Sequence, residues 1–356
     1  MSGYNEVLLW RQYDKGLGIV HSATQFAQLG NDGVGMTRGM VNSFLMSNGL
    51  PIYDPSSGYK GDDNISNVRE NRDGRLWLFL KEPGQMNVLY ESNEGTHATP
   101  VEPVPDITEG NAYWCYTTGY AIRKGNNYDQ KHCANLQAYT GSITFRGVEA
   151  YLNYMEACYE KTGALDSKAD EYWKKIRNRA KVDENYNKTI TATQMSEEAK
   201  NDWGAYSAGQ VIDPTLYNIR RERRSELMAE GLRYMDLKRW RAMDQMTSTP
   251  YHIEGFKLWG TMQTWYDKDG GTLLIYGKDN PSANVSDPSL GAYLRPYEIS
   301  SKSLVLDGYK WTRAHYLSPI AIQHFLISSK NNDVSTSPIY QNPGWGTTAN
   351  QGPSEI

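Results

Sequence analysis

Apolar residues recur at spacings of three and four in two long stretches of the chain, and these predict helices. In the first, Val148, Tyr151, Leu152, Met155 and Tyr159 share one side of a helix over 145–161, which Gly163 can end in a left-handed cap. Asp166 can then cap a second helix whose inward face is Ala169, Tyr172, Trp173, Ile176 and Ala180. In the second stretch Asp213 suits an N-cap and Pro214 the first helical position. Leu216, Ile219, Arg223, Leu227 and Glu230 follow on one face, with Gly231 as the expected cap. Leu237, Trp240 and Met243 then mark another helix, with Asp236 one turn before Trp240. The two hairpins, over 145–181 and 213–246, lie near the roughly 34-residue period of tetratricopeptide-type repeats. They share little sequence, so two similar units in a helical scaffold are expected, and no regular array.

Elsewhere the period shortens or fails. Thr37 can cap a helix over 38–47 with Met40, Val41, Phe44 and Leu45 inward, and Pro319 opens a last short helix through Phe325. Leu76, Leu78 and Leu80 alternate with Trp77 and Phe79, which predicts a short strand, and further strands are expected over 253–259 and 272–276. The segment 6–28 reads as irregular with a short helix or strand, while 51–71 and 82–111 read as long loops. The expectation is a mainly α fold of helical hairpins, long irregular loops and a few short strands.

Charge changes the picture at the second hairpin. Two of the five inward positions, Arg223 and Glu230, are ionisable, and burying one charge alone costs several kcal/mol. They must therefore be paired or sit at a rim. Eight basic residues between Arg220 and Arg241 could suggest a nucleic-acid patch, but four acids interleave with them at helical spacing. With a net charge of −4 over 356 residues, internal pairing is the better account. Arg223, Arg224, Glu226, Glu230 and Asp236, packed beside Trp240, are expected to form a structural ionic lattice.

Composition adds one hint. There are 26 Tyr and 10 Trp against 6 Phe, a bias towards rings that keep one edge wet. Cys115, Cys133 and Cys158 form no metal-spaced pair, and no apolar run is long enough to span a membrane. Catalytic motifs of the G-x-S-x-G, H-E-x-x-H, P-loop and C-x-x-C kinds are missing from the sequence, and six histidines are scattered. Asp62 with Asp63, and Asp267 with Asp269, are too few for a calcium site, and a turn is the better account of the latter pair. A metal is left open and no cofactor is implied.

Four stretches together resemble the SusD/RagB family of outer-membrane nutrient-binding lipoproteins. ERRSELMAEGLRYMDLKRW (Glu222–Trp240) resembles the family's helical signature, and FRGVEAYLNYMEACYEKTG (Phe145–Gly163) its central helix. RDGRL (Arg72–Leu76) is similar to its RDPRL turn, with Gly74 where Pro is usual. YLSPIAIQHF (Tyr316–Phe325) and QNPGW (Gln341–Trp345) resemble its closing signature. The resemblance implies a SusD-like fold over 1–356, formed from the C-terminal part of the family, because EVLLWRQYD (Glu6–Asp14) resembles a stretch midway along its members. It implies non-catalytic capture of an oligosaccharide and delivery to a SusC-like TonB-dependent transporter. An N-terminal lipid anchor outside this chain would hold the protein at the outer membrane, surface-exposed or facing the periplasm, with no role for nucleic acid. Family ligand rings lie on loops before the central helix, which implies Trp114, Tyr116, Tyr128 and Tyr139, with Trp265 and Tyr266 as further candidates. An intracellular helical-repeat adaptor and a glycoside hydrolase are the competing functions; two carboxylates in suitable proximity could come from distant segments.

Overall fold

The computed structural model describes residues 3–30, 33–92, 99–108, 115–348 and 350–354. The chain opens with β1 (Val7–Arg11) and α1 (Ala23–Leu29), followed by α2 (Arg38–Ser43), α3 (Ile65–Arg69) and α4 (Gly74–Phe79). After a long loop region come β2 (Ser142–Arg146), α5 (Gly147–Thr162), α6 (Ser167–Arg179), α7 (Tyr186–Ala192) and α8 (Met195–Glu198). Next are β3 (Tyr206–Ser207), β4 (Gln210–Val211), α9 (Pro214–Glu226) and α10 (Arg233–Arg239). The last third is mostly irregular, with β5 (Asp267–Lys268), β6 (Gly271–Thr272) and α11 (Ile322–Ser328). Each strand pair is an antiparallel two-stranded ribbon, and β1–β2 joins the start of the chain to the start of α5.

The long helices form where their termini and faces agree. Gly163 ends α5 at φ 70°, and the Asp166 side chain accepts the Ala169 N–H to start α6. Val148, Leu152 and Met155 of α5 then meet Trp173 and Ile176 of α6, with Ile219 and Leu227 closing the cluster from the α9 side. The α9 helix begins as its residues dictate, with Asp213 accepting from Thr215 and Leu216. It ends earlier than the expected Gly231 cap, at Glu226. The reason is electrostatic: the Glu226 carbonyl accepts from Arg146 Nη2 at 2.9 Å and Lys124 Nζ at 3.2 Å. Cations thus satisfy the helix's C-terminal end, and Gly231 (φ 80°) turns the chain only afterwards.

Five further expectations are corrected. Residues 76–80 lie largely in helix α4 and form no strand, because Asp73 caps the Arg75 N–H and Leu76 and Leu80, four apart, are both buried. The loop over 51–71 contains α3, whose Ile65 and Val68 reach the largest core cluster after Asn64 caps the helix. The segment 253–259 is not a strand: Phe256 donates its N–H to the Thr118 carbonyl and accepts from Leu294, so it threads between two loops without a continuous ladder. Of the strand expected over 272–276 only Thr272 pairs, in β6, and the last helix is displaced to Ile322–Ser328. Gly119 makes the Phe256 crossing feasible. Its φ is +74°, and a Cβ there would sit 2.2 Å from the Phe256 ring.

Candidate functional site

A lattice of charges, centred on α9, stands behind the loops. Most of α9 is buried although Arg220, Arg221, Glu222, Arg223 and Glu226 lie along it. A helix of that composition survives burial only if its charges are matched. Arg223 Nε pairs with Asp236 at 2.7 Å and Arg224 with Asp202 at 2.9 Å. Glu222 accepts from Arg75 at 2.6 Å and from the Trp173 indole at 3.0 Å. Glu226 receives Arg75 at 3.0 Å, Arg146 at 2.7 Å and Arg179 at 2.6 Å. Glu230 receives Arg146 at 2.7 Å and Lys124 at 2.6 Å, at a half-buried rim. The Trp240 indole donates to Glu156, and the guanidiniums of Arg220 and Arg239 lie 4.4 and 4.8 Å from its ring centroid.

These contacts set proton affinities. Burial alone would raise the Glu226 carboxyl, but Arg75, Arg179 and Arg146 outweigh it and hold it down at about 2. Glu230 is lowered against the same burial penalty by Arg146 and Lys124. Burial lowers Lys124 despite Glu230.

In front of the lattice, a cleft of about 770 Å³ is walled by Lys124, Asn126, Thr140, Ser142, Arg146 and Glu230 on its polar side. Tyr4, Val7, Phe79 and Ile143 add apolar surface. The loop that supplies Lys124 and Asn126 is fixed by Asn126 donating to Asn87 at 3.2 Å and Asn127 donating to Thr140 at 3.1 Å. It runs directly into Tyr128. There the Leu89 N–H donates to the Tyr128 carbonyl at 2.8 Å and the Gln130 N–H to the Tyr90 carbonyl at 2.9 Å, pinning two loops side by side. Tyr128 is 43% exposed and Tyr90 67%, with Leu89, which precedes Tyr90, also exposed. The Arg123 guanidinium lies 5.7 Å from the Tyr128 ring centroid and is anchored to the Met86 carbonyl at 2.7 Å.

The rings implied by the sequence are scattered by this arrangement. Tyr128 stands at the surface, and Tyr139 is half-buried against His132, ring centroids 4.3 Å apart. Tyr116 is instead a core residue: its hydroxyl donates to the Gln28 carbonyl at 2.8 Å and receives Lys81 at 2.9 Å. Tyr266 is likewise buried, donating to the Pro105 carbonyl at 2.8 Å, and Trp265 packs half-buried against the same cluster. Trp114 lies outside the described residues. Tyr90, Lys124, Asn126 and Arg146 escaped the sequence reading, since they belong to segments with no period and meet only in space. Asp62 and Asp63, considered for a cation, instead accept from Tyr293 and Lys257.

The arrangement defines a class: a helical-hairpin scaffold carrying a loop-built surface of exposed rings beside a polar cleft. The sequence matches the SusD family profile over residues 6–345, and the chain belongs to the SusD family. A SusD-like protein from Bacteroides fragilis NCTC 9343 shares the fold, with 97% of this chain matching 55% of that one at a TM-score of 0.54 and 17% identity. A SusD-like carbohydrate binding protein from the same strain aligns over 84% of this chain and 50% of its own, at a TM-score of 0.48 and 18% identity. The chain spans about half the length of these solved relatives. Among curated proteins no sequence matches.

Proposed function

We propose that this chain captures an oligosaccharide without transforming it and passes it to a SusC-like TonB-dependent transporter in the outer membrane. Members of the SusD family are outer-membrane-associated nutrient-binding lipoproteins, and a lipid anchor on a preceding segment would keep this one there. The observation that carries the reading is the pair of exposed rings, Tyr90 and Tyr128, on tied loops beside the polar cleft.

The physical match is direct. A pyranose has an apolar C–H face, which a flat phenol ring covers, and a rim of hydroxyls, which Asn, Lys and carboxylate groups satisfy. Asn126, Thr140 and Ser142 offer that polar rim within the cleft. Such contacts are individually weak, so a dissociation constant between micromolar and millimolar is expected, which suits release to a transporter. Trp240, Arg223, Arg224 and Asp236 hold the loops in place without touching ligand, while Glu226 and Glu230 anchor Arg146 from the cleft wall.

Electrophoresis of the purified chain through native gels containing individual polysaccharides tests this. Retardation by at least one glycan, relieved in Tyr128→Ala and without release of reducing ends, supports capture. Cleavage of the retained glycan, abolished by one Asp or Glu substitution, would replace it with hydrolysis.

A further inference from the structure

The polar wall of the cleft carries cations, and how they are spent decides the charge of what can enter. Lys124 and Arg146 stand there with three carboxylates, those of Glu6, Glu226 and Glu230. A guanidinium has five N–H donors, and Arg146 has committed all of them within the wall. Its Nε donates to Glu230 at 2.9 Å. Its Nη1 donates to Glu6 at 3.0 Å and Glu226 at 2.7 Å, and its Nη2 to Glu230 at 2.7 Å and the Glu226 carbonyl at 2.9 Å. Lys124 donates to Glu230 at 2.6 Å and to the Glu226 carbonyl at 3.2 Å, and its ammonium lies 4.8 Å from the Phe79 ring centroid. His21, also on the wall, adds no charge. Its Nδ1 accepts from the Ala23 N–H at 3.2 Å while Nε2 donates to the Thr140 carbonyl at 2.9 Å, the pattern of an uncharged ring.

The residues behind the wall do not reverse this balance. Arg75 and Arg179 both reach Glu226, but Arg75 is shared with Asp73 and Glu222. Arg123, beside the Tyr128 ring, is buried and already bonded to the Met86 carbonyl. A carboxylate or sulfate brought into the cleft would lose water and find every Arg146 N–H taken. It would also face more negative groups than positive ones on the wall. An uncharged ring meets neither penalty.

We infer that the cleft selects uncharged glycans and rejects uronate and sulfated ones, with Glu6 and Glu230 setting that choice by occupying Arg146. The inference rests on the capture reading above and adds to it the charge class of the ligand. The test takes the neutral polysaccharide best retained by the full chain in native gels, and the same polymer after selective oxidation of its primary alcohols to carboxylates. Isothermal titration compares the two dissociation constants. Oxidation should raise the constant at least about tenfold. Glu6→Gln removes one wall carboxylate at a half-exposed position and loosens its hold on Arg146, so it should narrow that ratio at least about threefold. A ratio near one would overturn the inference. So would a ratio that Glu6→Gln leaves unchanged, because the loss would then trace to the missing hydroxyl and not to charge. A chain that retains acidic polysaccharides and no neutral one would also overturn it, while leaving capture in place. Retention of no polysaccharide of either kind would remove both readings together.

Discussion

At Glu226 three guanidiniums converge on one buried carboxylate, and the chain's dependence on matched charge is sharpest there. Removing one partner of a buried pair leaves the others uncompensated, which costs about 3–5 kcal/mol. Glu226→Gln should therefore lower the unfolding free energy by about 3 kcal/mol in urea titrations. Glu6→Gln, at an exposed partner of Arg146 and Arg179, should cost about 1 kcal/mol or less. The same lattice fixes a pH response. A carboxyl lowered on folding contributes stability above its unfolded pKa and loses it as pH falls through the folded value. With Glu226 taken from 4.5 to about 2, and Glu230 and Glu156 lowered in the same direction, their contribution to stability should be lost steadily as pH falls between those limits. Urea midpoints that stay constant down to pH 3 would contradict this. The need for pairing was legible in the α9 sequence because charges fell on an apolar stripe. The partners were not: Arg75 and Arg146 come from 151 and 80 residues away, and no local pattern announces them.

Single elements show where periodicity misleads. In α4 the Leu76, Leu78 and Leu80 alternation imitates a strand, but Leu76 and Leu80 also satisfy the helical spacing of four, and the Asp73 cap decides the outcome. Five or six residues cannot separate the two periods, whereas the thirteen of α6 and α9 can. The same segment departs from the family's turn at Gly74, and here the glycine has a use. Its N–H donates to the Ala180 carbonyl at 2.7 Å, linking α4 to the end of α6. Gly74→Pro would restore the usual family residue yet remove that donor, so a loss of about 1 kcal/mol is expected in thermal or urea unfolding. A more stable variant would show that the bond contributes less than the gain in chain stiffness. The ring candidates misled for a related reason: a tyrosine's exposure depends on whether a buried carbonyl takes its hydroxyl, as at Tyr116 and Tyr266, and sequence carries no sign of that carbonyl.

Over the whole molecule, the division of labour is between a charged interior that sets geometry and loop-borne rings that meet solvent. Substituting the interior should remove fold and binding together: Trp240→Ala, at the indole flanked by Arg220 and Arg239, should cost about 3–5 kcal/mol and abolish cooperative unfolding. Substituting the rings should leave the fold alone. Isothermal titration of the Tyr90→Ala/Tyr128→Ala double variant against the glycan best retained by the unmodified chain, at matched unfolding midpoints, tests that division most directly. Two exposed stacking rings worth about 1 kcal/mol each predict a dissociation constant raised about thirtyfold. A dissociation constant unchanged from that of the unmodified chain would contradict the account.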